Sequence, residues 1–300
     1  MSDSLSLEAL RAVWISDVHL GSRECRASLL LDFLRRTRCD VLYLVGDIID
    51  FESLRRDFYW PASHTDVLRT ILRKSYEGTR VVYIPGNHDD ALRAYAGAAL
   101  GNVELASEAV HRTRSGRKLL VMHGDRFDAI VRGRGLGVLI GAHACRSLLA
   151  LNRFVHWLHE LAGRPYWSLA QHVKSQFGFV RRYVERFRDA TLAAARDAGV
   201  DGVICGHIHQ AELIEIDGLL YCNDGDWVES CTALVEDQRG VLSLIAWRPA
   251  TASAGASATA HGAGWRRPAA VGVAARLRRV RAFRVRRRRH VRAVGTEPPA

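Results

Sequence analysis

The sequence predicts an α/β fold with its functional residues at the carboxyl ends of the strands. Three observations carry that expectation. Five short apolar runs recur along the chain, each is followed by a cluster of Asp, Asn or His, and a long stretch with helical spacing separates the fourth from the fifth.

The first run, Ala12-Val13-Trp14-Ile15, leads into Asp17-Val18-His19. The second, Val41-Leu42-Tyr43-Leu44-Val45, leads into Gly46-Asp47. Val81-Val82-Tyr83-Ile84 precedes Gly86-Asn87-His88-Asp89, and Leu119-Leu120-Val121-Met122 precedes His123-Gly124-Asp125. The fifth, Val203-Ile204-Cys205, ends in Gly206-His207-Ile208-His209. Apolar, β-branched runs of this length bounded by turn residues read as buried strands. In open α/β sheets, ligands collect at the carboxyl ends of strands, where all five clusters fall.

Asp and Asn oxygens mixed with imidazole nitrogens suit Mn, Fe, Zn or Co better than Ca or Mg, which take oxygen shells. Asp47 stands alone after its strand, as a carboxylate bridging two ions would. Asp17 and His19, two apart on an extended segment, can reach one ion. Gly46, Gly86 and Gly206 precede ligand positions, where a missing Cβ lets the backbone approach closely. One such cluster alone could be a satisfied polar group in a core. Five together make a site.

In this order, D-x-H, GD, GNHD, HGD and GHxH resemble the calcineurin-like metallophosphoesterases, over about Val13 to Trp247. The resemblance implies a four-layer α-β-β-α sandwich. It also implies one metal on Asp17, His19, Asp47 and His209, and a second on Asp47, Asn87, His123 and His207, with Mn2+ the expected ion. The flanks Trp14–Ser22 and Tyr221–Ser230 look like the UDP-2,3-diacylglucosamine diphosphatase branch. That branch hydrolyses a lipid A precursor to UMP and a diacylated glucosamine 1-phosphate.

Two metals about 3.5–4 Å apart can acidify a water and clamp phosphate oxygens during in-line attack, so no Ser or Cys nucleophile is needed. His88 and the adjacent Asp89 are the candidate catalytic residues. In the wider superfamily the matching His acts as general acid or as a phosphate clamp. The best-known lipid enzymes carry Arg where this chain has His88, whereas a paralogue branch of the same name keeps His. An anhydride expels a phosphate that needs little protonation, whereas an ester expels an alkoxide that a general acid helps. His88 therefore keeps ester hydrolysis open.

The formal charge is +11 over 300 residues, and it is confined to one end. Residues 251–300 contain 12 Arg and one acidic residue, Glu297, leaving 31 basic and 31 acidic residues in the first 250. The expected organisation is a metallophosphoesterase domain over 9–248, followed by a disordered Ala/Gly/Arg-rich tail over 249–300. The tail could alternatively form an anionic-lipid or nucleic-acid patch. The neutral body argues against a nucleic-acid partner.

Six cysteines show neither CxxC spacing nor a dense framework, which fits a reducing cytosol. Met1-Ser2-Asp3-Ser4 lacks a charged and an apolar region, so no signal peptide is expected. The most apolar stretch, Leu136 to Leu151, is broken by His143 and Arg146 and too short to span a bilayer. The expected location is cytoplasmic, with peripheral contact at the inner face of the inner membrane.

Helical spacing over Arg126–Ala162 and Tyr166–Ala198 is interrupted by Gly163-Arg164-Pro165, a helix-breaking turn. The segment, about 126–198, is aromatic and basic and is expected to form a helical cap. Trp157, Tyr166, Trp167 and Arg164 are candidate substrate contacts, in an apolar groove for acyl chains with Arg for phosphate. The plainer alternative is a helical pair packed on the sandwich.

Three functions follow. The first is a dinuclear-metal hydrolase of UDP-2,3-diacylglucosamine; the second is a phosphomono- or phosphodiesterase on another nucleotide or lipid phosphate. The third is a metal-free interaction scaffold, disfavoured because every ligand position is filled.

Overall fold

The computed structural model of the chain describes residues 9–128 and 178–248. Trp157, Arg164, Tyr166, Trp167, most of the expected cap and the Arg-rich tail lie outside the described residues.

All five apolar runs are strands. β1 (Leu10–Ile15), β2 (Cys39–Val45) and β3 (Arg80–Ile84) are parallel neighbours, with Trp14 opposite Tyr43 and Tyr43 opposite Val82. Two short strands, β4 (Ala99–Leu100) and β5 (Val103–Leu105), extend one edge of their sheet. β6 (Ala109–Arg112) opens a second sheet, followed by β7 (Lys118–Val121) and β8 (Gly202–Cys205), which carry the fourth and fifth runs in parallel. β9 (Glu212–Ile216) and β10 (Leu219–Asn223) complete that sheet as a hairpin. β11 (Thr232–Glu236) and β12 (Leu242–Ala246) return to the first sheet beside β1. The two orders are β12-β11-β1-β2-β3-β5-β4 and β6-β7-β8-β10-β9.

The side-chain period of a strand explains the layering. Val13, Ile15, Leu42, Leu44, Val81 and Tyr83 point to one face of the first sheet. There they meet Leu30 and Leu34 of α1 (Ala27–Arg36), and Val67 and Ile71 of α3 (Ala62–Tyr76). Between them in sequence lies the one-turn helix α2 (Phe51–Arg56). The alternate residues Ala12, Trp14, Tyr43, Val45, Val82 and Ile84 face the second sheet and pack on Leu119, Val121, Ile204 and Cys222. The far face of that sheet, with Leu120, Met122, Val203 and Tyr221, is covered by Phe187, Leu192 and Ala195 of α4 (Gly178–Asp197). The result is helix, sheet, sheet, helix. Both faces of the central strands are buried, which is why they read as continuous apolar runs rather than as alternating ones.

α4 falls in the stretch expected to form the cap. Its described part is the outer layer of the sandwich: Phe187 is fully buried, edge-on to Phe127.

A polar lock joins the sheets. Glu236 of β11 accepts from Arg11 and from the backbone N–H of Arg114, and lies 2.8 Å from Nε2 of His111 on β6. Nδ1 of His111 stands 3.2 Å from the Tyr43 hydroxyl. No described helix is long and apolar enough to cross a membrane.

Candidate metal centre

The five clusters meet because β1, β2 and β3 of one sheet and β7 and β8 of the other end at the same edge of the sandwich. The loops there are stitched to one another through the backbone. Asp17 N–H donates to Gly46 O, and both Val18 and His19 N–H donate to Asp47 O. Gly206 N–H donates to His123 O, tying the β7 and β8 loops.

These loops turn by an unusual route. Among the described residues, seven other than glycine have positive φ, and five of them are predicted metal ligands: Asp17 (51°), His19 (54°), Asp47 (54°), His207 (69°) and His209 (52°). Asp and His tolerate the left-handed region better than most residues, but each such position still costs about 1 kcal/mol or more. Repetition of that cost at ligand positions argues that the geometry is selected for what the side chains do.

The side chains form three groups, each with its ligand atoms within 4.8 Å of one another, and the group of His19, Asp47 and His88 links the other two. Of those two, one contains Asp17, His19 and His209; Asp17 Oδ1 lies 3.1 Å from Nε2 of His209. The other contains Asp47, His123 and His207, with Asp47 Oδ2 at 3.4 Å from Nε2 of His123. The same Oδ2 stands 4.0 Å from Nε2 of His19, so Asp47 faces both groups. Its Oδ1 accepts the His88 N–H at 2.8 Å.

Close packing of backbone on ligands requires glycine at two places. A Cβ at Gly86 would lie 2.3 Å from Asp47 Oδ1, and one at Gly46, whose φ is +84°, would lie 2.3 Å from the His123 ring.

Whether this cluster fits metal ions is decided by its unpaired atoms. Asp17 Oδ1, His19 Nε2 and His123 Nε2 are buried with no hydrogen-bond partner among the described residues. Meanwhile the other ring nitrogens of His123 and His19, and one ring nitrogen of His207, are engaged behind the site. His123 Nδ1 is 2.8 Å from Val45 O, His19 Nδ1 is 3.3 Å from Asp50 Oδ2, and His207 Nε2 is 2.8 Å from Asp128 Oδ1. A metal-bound imidazole donates its other N–H to such an acceptor, which fixes the tautomer and leaves a lone pair for the ion. The donor set therefore fits divalent cations.

Electrostatics agree. Burial disfavours ionised Asp17, yet the His209, His123 and His19 rings outweigh it and hold its carboxyl well below the usual range. Asp47 is held down to about 2 against burial, chiefly by His123.

Of the remaining sequence candidates, Asn87 is exposed on the loop between Gly86 and His88. His88 is half-buried, its ring edge-on to His19 at 4.7 Å, with Nδ1 3.0 Å from Asp50 Oδ1. Asp89 is fully buried. Its oxygens accept from the backbone N–H groups of Gly86, Asp47, Ile48 and Ile49 and from the Tyr83 hydroxyl, clamping the β2 and β3 loops together.

Sequence reasoning missed Asp50 and Asp128. Asp50 caps α2 through Ser53 N–H and sits between His19 and His88. Its signal was the carboxylate three residues after Asp47. Asp128 also accepts from the Tyr183 hydroxyl of α4. Nothing in its sequence neighbourhood marks it, because its partners are 55 and 79 residues away.

Comparison with known proteins agrees with this geometry. The calcineurin-like phosphoesterase profile matches residues 10–211. The chain belongs to that family and is a metallophosphoesterase. Among similar proteins, the UDP-2,3-diacylglucosamine hydrolase of Blochmanniella pennsylvanica (strain BPEN) is 31% identical over 116 residues, 38% of this chain and 46% of the relative. The protein of the same name from Chromohalobacter salexigens is 27% identical over 212 residues, 67% of this chain and 80% of the relative. The chain thus spans under half of the first relative and four fifths of the second. Similar solved structures include Yfce, a phosphoesterase from E. coli, at 10% identity and TM-score 0.40, covering 79% of this chain and 99% of that one. Vps29 from Entamoeba histolytica complexed with Zn+2 is 16% identical with TM-score 0.34, covering 78% and 96%.

Proposed function

We propose that this metallophosphoesterase works with two divalent ions, Mn2+ foremost, with Fe, Zn or Co accepted by the same donors. Asp17, His19, Asp47 and His209 hold one ion, and Asp47, Asn87, His123 and His207 hold the other. The observation that carries this is the set of buried, unpartnered ligand atoms around Asp47, each on a ring or carboxylate anchored from behind. When bound, such ions supply Lewis acidity toward phosphoryl oxygens and an acidified water.

The proposed substrate is UDP-2,3-diacylglucosamine, cleaved at its pyrophosphate to UMP and 2,3-diacylglucosamine 1-phosphate. Support comes from the two relatives bearing that name and from the flanking motifs Trp14–Ser22 and Tyr221–Ser230. A cytoplasmic enzyme in peripheral contact with the inner membrane would meet this lipid. Product identification after incubation with UDP-2,3-diacylglucosamine tests it: UMP is expected, and intact substrate beside turnover of simple phosphate esters would reject it.

A second reading, ester hydrolysis, is favoured by His88. Burial lowers its affinity for a proton, but the Asp50 contact and the Asp47 charge outweigh burial and raise its pKa, which suits a proton donor. His88→Ala should then damage substrates with poor leaving groups and largely spare activated aryl phosphates. A uniform loss across leaving groups would reduce His88 to a phosphate clamp and favour the anhydride.

A further inference from the structure

The segment Asn223-Asp224-Gly225-Asp226-Trp227, at the end of β10, supplies no metal ligand, yet it is built around Asp17. Trp227, fully buried on Phe33, donates its backbone N–H to Asp17 O. Asp226 uses its carboxylate to accept from the N–H groups of Val228, Glu229 and Ser230, closing the turn that holds Trp227. Asp224 is fully buried, and its N–H is tied to Cys205 O beside the β8 loop.

Between Asp224 and Asp17 lies the Ser16 hydroxyl. Its Oγ is 2.5 Å from Asp17 Oδ2, 2.6 Å from Asp224 Oδ1 and 3.1 Å from Gly225 O. All three neighbours are acceptors when both carboxylates are ionised, but a serine hydroxyl has one proton to give. The second short contact needs a proton of its own. Asp17 already accepts the His207 N–H on Oδ2 and has Nε2 of His209 3.1 Å from Oδ1. Asp224 has no cationic partner at hydrogen-bond distance, and its Oδ2 is buried without a partner among the described residues. A carboxylate so placed is costly to keep charged.

We propose that Ser16 and Asp224 are positioning residues for the metal centre: Asp224, as the un-ionised acid, donates to Ser16, and Ser16 donates to Asp17 Oδ2. The His207 N–H also donates to Oδ2, at 2.9 Å. With Oδ2 saturated by two donors, Oδ1 is the oxygen left to face the ion. Burial pushes the Asp224 carboxyl well above its ordinary range, in keeping with the neutral acid. The inference rests on Asp17 being a metal ligand.

Mn2+ titration of the metal-free full chain tests it, with Ser16→Ala, Asp224→Ala and Asp224→Asn compared with wild type. Asn keeps a neutral N–H donor at position 224, so it should hold Mn2+ affinity within a few-fold. Ser16→Ala and Asp224→Ala should weaken one of the two ions by about 10–100-fold, the range for loss of an outer partner, and leave the other in place. The infrared carbonyl band of an un-ionised carboxylic acid should be present in wild type and absent from Asp224→Asn. Wild type that binds no Mn2+ would overturn the ligand assignment itself. Two bound ions in wild type, with unchanged affinity in Ser16→Ala or with Asp224→Asn as impaired as Asp224→Ala, would overturn the positioning pair alone. Should Asp224→Ala fail to fold, Ser16→Ala, Asp224→Asn and the infrared band decide.

Discussion

The lock between the sheets and the cluster at the strand ends are made of the same materials and finished differently. Both are buried, and both set imidazole against carboxylate. In the lock, Glu236 accepts from Arg11, the Arg114 N–H and His111, and both ring nitrogens of His111 have neighbours. At the strand ends, Asp17 Oδ1, His19 Nε2 and His123 Nε2 are buried without a hydrogen-bond partner among the described residues, and five predicted ligand positions hold left-handed backbone. A fully satisfied network stabilises a fold; a half-satisfied one is unfavourable until something binds it. The difference sets the structural lock apart from the candidate metal centre.

The largest effect expected of this contrast is on Asp47. Asp47→Ala should remove one or both ions and nearly all turnover, well beyond the roughly 10–100-fold typical of an outer partner. Elemental analysis of the purified variant checks this, and normal metal stoichiometry would sink the bridging assignment. In the metal-free protein the same change should cost less stability than Glu236→Ala. A larger cost would make the cluster part of the scaffold.

Glu236→Ala is the reciprocal experiment. It strips the lock of the carboxylate that pairs Arg11 and caps the Arg114 N–H, and leaves the buried His111 ring without its acceptor. Removing one member of a buried pair costs about 3–5 kcal/mol, which urea unfolding should read directly. Metal bound per folded molecule should stay at the wild-type value. Loss of metal with retained stability would contradict the division.

How far was this contrast legible beforehand? The strand-end cluster was, since Asp17, His19, Asp47, His123, His207 and His209 each follow an apolar run and carry metal-binding atoms. The lock was not: Glu236 and His111 are 125 residues apart, and neither sits in a motif. Seven further strands escaped notice as well, because β4 and β5 have only two and three residues and β9 is half exposed. Left-handed backbone at the ligands leaves no trace in composition, although Asp and His are the types that bear it. Short-range spacing reveals chemistry, whereas long-range pairing has to be seen.

The smallest effect, and the sharpest test, is one of sign. Burial lowers the pKa of His111 more than Glu236 raises it, so the folded lock keeps that ring neutral, with Nε2–H donating to Glu236 and Nδ1 accepting from Tyr43. A histidine depressed on folding contributes its stability above the unfolded value near 6.5, and loses it as pH falls toward the folded pKa. His123 runs the other way in the metal-free protein. Burial would lower its pKa, but Asp47 and Asp17 outweigh burial and raise it to about 10. Its contribution is therefore complete below 6.5 and declines as pH rises toward 10. Thermal unfolding of metal-free wild type, His111→Gln and His123→Gln across pH 5–9 should separate the two slopes. His111→Gln should flatten the acid limb, and His123→Gln the alkaline limb. Saturating Mn2+ should reverse the alkaline limb alone, because the ion needs His123 deprotonated and competes with its proton. If Mn2+ leaves the alkaline limb as it was, the ring does not bind the ion, and His123 belongs with the lock.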